Sequence, residues 1–134
     1  MKYLLDVNLL VAWGWKEHSD HERVARWIGR ERSQPDTQFL TSPIPELGFI
    51  RVSVQRAAGA VAVKDACVAL DGMLASLGNA HSFVSDGERG TNLPKWCKSA
   101  DRTTDAHLLA LADAHGAKLA TLDTGIPGAF LVPT

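Results

Sequence analysis

Short apolar runs, each closing on a polar or acidic residue, alternate along this chain with longer stretches whose apolar positions recur every three or four residues. The first run, residues 2–6 (KYLLD), reads as a buried strand stopping at a sheet edge. Asn8 is placed to cap a helix through Leu9, Leu10, Val11 and Trp13. A second helix is expected over residues 20–32, capped by Ser19 or Asp20, with Val24, Trp27 and Ile28 inward and Arg23, Arg26 and Arg30 on an outer side. After the turn Gln34-Pro35-Asp36, Gln38 to Thr41 forms the second strand. Pro43 and Pro45 suit a helix's first turn, where proline has no N–H to lose; that helix runs through Phe49, Val52 and Val54 to stop near Gly59.

A further amphipathic helix, 63–77, ends at Gly78-Asn79, and His81 to Val84 makes a third strand closed by Ser85 and Asp86. Residues 87–103 are the least regular, with a short helix expected at Leu93 to Trp96. Thr103 or Thr104 then caps a helix from Ala106 to His115, stopped by Gly116. Lys118 to Leu122 is the fourth strand, closing on Asp123, and Phe130 to Val132 is a candidate fifth. This alternation predicts an α/β fold: a parallel sheet of four to five strands with helices on both faces.

Composition narrows the picture. A length of 134 residues, 46% of them hydrophobic, supplies one core, so residues 1–134 are expected to form a single domain. No run approaches the roughly 20 apolar residues that span a bilayer. The opening MKYLLDVNLLVAW lacks a following cleavage site, so no signal peptide and a cytoplasmic location are expected. Cys67 and Cys97 show no close pairing and read as reduced thiols. A net charge of −1 carries no overall footprint of a nucleic-acid binder, yet the basic residues cluster: Arg23, Arg26, Arg30 and Arg32 in one segment, Arg89, Lys95, Lys98 and Arg102 in another.

The carboxylates hold the candidate chemistry. Asp6 and Asp123 directly follow apolar strands, while Glu46 and Asp105 open helices that follow strands, and both kinds of position lie on the C-terminal rim of a parallel sheet. Asp86, after HSFV, obeys the same rule, which leaves five candidates that geometry alone does not separate. Each has an ordinary explanation too, since carboxylates favour helix N-termini. Gathered together they would repel one another unless a cation neutralised them, and an all-oxygen donor set points to Mg²⁺ or Mn²⁺ over zinc. Such an ion suits phosphodiester hydrolysis. No phosphate-binding glycine loop is present, and no Ser-His-Asp or Cys-His arrangement can be picked out.

Four segments, LLDVNLLVAW, HSDHERVARW, TSPIPELGFIRV and TTDAHLLALADAHGAKLATLDTGI, cover the chain almost end to end and in family order. The pattern resembles the PIN-domain ribonucleases, most closely the VapC-type toxins of bacterial toxin–antitoxin pairs. That resemblance implies a three-layer α/β/α fold and a metal-dependent endoribonuclease acting on single-stranded or looped structured RNA. It makes Asp6, Glu46, Asp105 and Asp123 the catalytic, metal-binding set, with Asn8 and Thr104 as supporting polar groups and Asp86 peripheral. It further implies a VapB-type antitoxin partner and a homodimer. Arg51 matches a recurrent arginine of these proteins, suited to contact with RNA, a partner or a carboxylate. His18 and His21 match the pattern before the second helix and are read as packing or surface groups. Trp13 and Trp27 are expected in the core, and Trp96 beside Lys95 is the aromatic–basic candidate for RNA contact. Where the family often carries a second acidic residue after its final aspartate, this chain has Thr124, Gly125 and Ile126, which favours one ion over two.

Other classes fit less well. A phospho-switch receiver would use Asp86, but the lysine it needs at the end of a late strand is missing, since Lys118 begins its strand. A dehalogenase-like phosphatase would need an aspartate where Asn8 stands. A PIN fold that binds RNA or a partner without cutting is the remaining alternative.

Overall fold

A computed structural model describes residues 1–134. Five strands form one sheet in the order β3-β2-β1-β4-β5, every pairing parallel. The strands are β1 (Lys2–Leu5), β2 (Gln38–Thr41), β3 (His81–Phe83), β4 (Lys118–Thr121) and β5 (Phe130–Leu131). The helices are α1 (Val7–Gly14), α2 (His21–Arg32), α3 (Pro43–Arg56), α4 (Val63–Leu77) and α5 (Thr103–Ala114). No helix is long and apolar enough to cross a membrane.

Strand side chains alternate between two cores. Tyr3, Leu5, Phe39 and Ala120 face α1 to α4, where Leu9, Trp27, Phe49 and Leu70 complete the larger cluster. Leu4, Leu40 and Leu119 face the other way, onto Leu108, Leu111 and Ala112 of α5. The register places Leu4 between Leu40 and Leu119, so its isobutyl group is fully buried in this second layer. The result is the expected three-layer α/β/α architecture, with the sheet entirely parallel.

Connections from β1 to β2 and from β2 to β3 step one way across the sheet, whereas β3 to β4 steps back past β1. The strand order therefore reverses between β1 and β4. A crevice opens beyond the C-terminal ends of two strands at such a reversal, the usual ligand position in sheets of this kind. Asp6 and Asp123 leave β1 and β4 at that point. Gly48 brings α3 close to the start of α1: a Cβ there would run into the side chain of Val7, next to Asp6.

Local structure departs from expectation in four places. The cap of α1 is Asp6, whose Oδ1 accepts from the Val7 amide at 2.7 Å. Asn8 is inside the helix and turns its amide across the crevice. In place of a helix at 93–96 there is a single turn over residues 94–97, closed by Cys97 N to Pro94 O at 3.1 Å, with Trp96 packed onto the α5 core. α5 begins at Thr103, one 3₁₀ turn (Ala100–Arg102) running straight into it. Arg23 leaves the outer arginine stripe and donates from Nε to the Val132 carbonyl at 3.0 Å, fastening the residues after β5 to α2.

Candidate active site

Thr121, the last residue of β4 and fully buried, organises the floor of the crevice. Its hydroxyl donates to Asp6 Oδ2 at 2.7 Å and accepts from Asn8 Nδ2 at 3.2 Å and the Asp123 amide at 3.1 Å. Asn8 Oδ1 in turn accepts from the Leu122 amide at 3.1 Å. One hydroxyl and one amide thus tie the β1 and β4 exits together and leave Asp6 with a single orientation. Burial raises the Asp6 pKa above the ordinary carboxylate value; the Thr121 and Val7 hydrogen bonds oppose this, while the charges of Asp105 and Asp123 add to it.

Asp105 and Asp123 share a partner that the sequence did not single out. Arg102 Nη1 donates to Asp105 Oδ2 at 3.2 Å and to Asp123 Oδ2 at 3.0 Å. Burial raises the pKa of Asp105 and Asp123 adds to the rise, with Arg102 acting against both. The remaining Asp123 oxygen accepts from the Gly125 amide at 2.8 Å, closing a tight turn after β4.

Glu46 has its own donor. Thr41, the buried last residue of β2, donates to Glu46 Oε2 at 2.7 Å and stands 2.7 Å from His81 Nε2. The His81 pKa is lowered by burial, against the pull of the Glu46 charge. Next to Thr41, the Ser42 hydroxyl is buried with no hydrogen-bond partner.

Asp6, Asp105 and Asp123 lie within electrostatic reach of one another on the same rim. No three acidic, histidine or cysteine side chains are grouped tightly enough to hold a metal as they stand. Protein donors meet all four carboxylates instead, Thr121 for Asp6, Thr41 for Glu46 and a single guanidinium, Arg102, for Asp105 and Asp123 together. The donor chemistry still fits a hard divalent cation, because every candidate ligand is a carboxylate oxygen and Asp6 is held ready by Thr121.

A cleft of about 380 Å³ runs over this rim. Asp6, Asn8, Asp101, Thr104 and Asp105 line it together with His18, Arg51 and Arg56. Two guanidinium groups in the same cleft as carboxylates suit a polyanion that must be drawn toward an acidic centre. A larger, mostly apolar cleft of about 590 Å³ adjoins it, sharing Val7, Arg51 and Thr104 and extending over Leu47, Ile50 and Val63.

The remaining residues fall outside the centre. Asp86 receives the Glu88 amide on Oδ1 and meets His107 Nε2 at 2.5 Å on Oδ2, pinning the irregular segment to α5. His21 Nδ1 bonds the Ala12 carbonyl, and His18 Nδ1 accepts the Asp20 amide, so both help to start α2. Trp27 is buried and Trp13 packs against the same core, as does Trp15, whose indole donates to Ser53 at 2.8 Å. Lys95 is exposed, and Trp96 lies against the α5 side of the molecule, in neither cleft over the rim. Thr121, Thr41, Arg102 and Arg56 are the site residues that the chain alone did not reveal. A threonine ending two apolar strands was the available signal for the first two.

No protein-family model matches the chain. Among curated proteins, Ribonuclease VapC39 of Mycobacterium tuberculosis is 34% identical over 136 residues, covering 94% of this chain and 91% of the relative. Ribonuclease VapC38 of the same organism is 35% identical over 127 residues, covering 92% and 86%, and Ribonuclease VapC29 is 31% identical over 140, covering 100% and 98%. The crystal structure of Mycobacterium tuberculosis VapC20, described as a sarcin-ricin loop cleaving toxin, matches with a TM-score of 0.69 over 98% of this chain and 99% of that one. At 15% identity this last likeness speaks for the fold.

Proposed function

This chain belongs to the VapC family of PIN-domain ribonucleases, and from that premise we propose that it is the toxin of a toxin–antitoxin pair, an endoribonuclease hydrolysing phosphodiester bonds in single-stranded or looped RNA. The observation that carries the reading is the cleft that Asp6 and Asp105 line together with Arg51 and Arg56, at the reversal point of the sheet. Asp6, Asp105, Asp123 and Glu46 would hold Mg²⁺ or Mn²⁺. A bound ion of this kind polarises a phosphoryl oxygen and lowers the pKa of a water for attack at phosphorus.

The protein's own groups divide the rest of the work. Thr121 and Asn8 keep the Asp6 carboxylate oriented, so that no rotamer has to be frozen when substrate arrives. Arg51, Arg56 and His18 meet the sugar–phosphate backbone and set its position along the cleft, a sequence-independent role. Thr104, at the junction of the two clefts, offers a hydroxyl to substrate or water. The adjoining apolar cleft, lined by exposed Leu47 and Val63, suits a hydrophobic segment of a VapB-type antitoxin lying next to the acidic centre, and exposed Val68 on α4 is a further apolar residue available to a homodimer. The setting is the cytoplasm, where RNA and such a partner meet.

The test is cleavage by purified protein freed of antitoxin. With Mn²⁺ or Mg²⁺ it releases fragments bearing 5′-phosphate and 3′-hydroxyl ends, and Asp6→Asn abolishes both cleavage and toxicity. Cleavage that persists undiminished in Asp6→Asn removes the acidic rim from the chemistry.

A further inference from the structure

Arg102 occupies a place that two unrelated features prepare for it. The first is charge: one guanidinium nitrogen bridges Asp105 and Asp123 at 3.2 and 3.0 Å. The second is space. A Cβ at Gly125 would stand 3.1 Å from Arg102 Cζ and 3.2 Å from Nη1, and would collide with Nη2. Gly125 is not among the glycines with positive φ, so its backbone conformation does not call for glycine. What the missing side chain provides is room for the guanidinium. The Asp123 carboxylate fixes this arrangement, one oxygen holding the Gly125 amide while the other holds Arg102.

Asp105 and Asp123 are also two of the carboxylates assigned above to a divalent ion. A guanidinium and a divalent ion on the same oxygens repel each other, so the two are competitors for one pair of ligands. Resting on the metal reading of the rim, we infer that Arg102 is a resident counter-ion that a divalent cation must displace, and that it thereby sets how tightly the site binds metal. Arg102 lies at the end of a 3₁₀ turn with its side chain about one-third exposed, so it can swing into solvent without disturbing α5. It is a positioning residue: until the ion arrives, it prevents Asp105 and Asp123 from pushing each other away.

Mn²⁺ titration by calorimetry on the chelator-stripped full chain, without RNA, tests this. Arg102→Gln removes the competitor and binds Mn²⁺ more tightly, by about tenfold, the scale of one displaced charge interaction. Arg102→Lys, which keeps the charge, stays near the parent. Gly125→Ala takes the guanidinium's room while leaving the arginine in the chain, and shifts affinity in the same direction as Arg102→Gln. It serves as the independent variant should Arg102→Gln fail to fold. A merely structural arginine would give looser binding on removal. Unchanged or weaker Mn²⁺ binding in natively folded Arg102→Gln overturns the assignment and leaves the metal reading intact. If no Mn²⁺ binds to the parent or to any variant, both fall.

Discussion

Thr121 donates its hydroxyl proton to Asp6 Oδ2 at 2.7 Å across the join between β4 and β1, and with the Val7 amide on Oδ1 it fixes the orientation of the deepest carboxylate of the site. Valine has nearly the same shape but no hydroxyl, so Thr121→Val leaves Asp6, Asn8 and the Asp123 amide each short of a partner. Urea unfolding should show a loss of about 1–3 kcal/mol, the usual cost of stranding buried polar groups. RNA cleavage should fall as well. Thr121→Ser, which restores the hydroxyl, should recover most of both.

The role of the cleft arginines is tested by charge. Arg51→Ala and Arg56→Ala should weaken RNA binding without altering Mn²⁺ affinity, since neither guanidinium contacts a carboxylate of the rim. If each meets one phosphate, the slope of log affinity against log salt should shrink by about one for each variant. An unchanged slope in both variants would remove the arginines from the RNA path. Arg56 carries one complication, a 3.4 Å pairing with exposed Glu17, so Glu17→Gln is the control.

Asp86 is read as a structural anchor, and its removal separates that role from catalysis. Asp86→Asn should retain RNA cleavage within about threefold while making residues 87–99 easier to nick with protease, because the His107 contact that holds the segment on α5 is weakened. Loss of cleavage comparable to that of Asp6→Asn would return Asp86 to the catalytic set.

Tyr3, the sole tyrosine, gives the fold a pH signature. Burial, then its hydrogen bond to Glu31 and that residue's charge, push the phenol from 10.0 up to about 12. The folded-state pKa lies above the unfolded one. Stability from the protonated phenol is therefore complete below pH 10 and is lost as pH climbs toward 12. Ultraviolet titration should place phenolate formation well above that of free tyrosine, and Tyr3→Phe should lose less stability than the parent over this alkaline window.

Much of this was legible along the chain, for reasons that differ by element. Leu4, Leu40 and Leu119 sit in apolar runs too short for helices, and each run ends on the residue that leaves the sheet, so both the parallel sheet and the rim positions of Asp6 and Asp123 follow from local pattern. The helix 63–77 and the stop at Gly78 were equally local. What escaped was set by contacts between distant residues. Asn8 carries the side chain of a good cap, but its amide is drawn to Thr121, 113 positions away, while Asp6 caps α1. Leu93 to Trp96 has the composition of a helical turn, yet only a single turn over residues 94–97 forms there, with Trp96 packed onto α5. Arg102 resembled any surface arginine, because its partner Asp123 and its space beside Gly125 lie more than twenty residues on. The segment after Asp123 lacks an acidic group, and Gly125 within it provides the room Arg102 occupies.

Anomalous diffraction from crystals grown with Mn²⁺ shows whether this rim holds a divalent ion. The expected result is a peak within coordination distance of Asp6 and of at least one of Asp105 and Asp123, with the Arg102 guanidinium moved off the pair. Crystals at saturating Mn²⁺ that show no peak at the rim, with Arg102 still bridging Asp105 and Asp123, would contradict it.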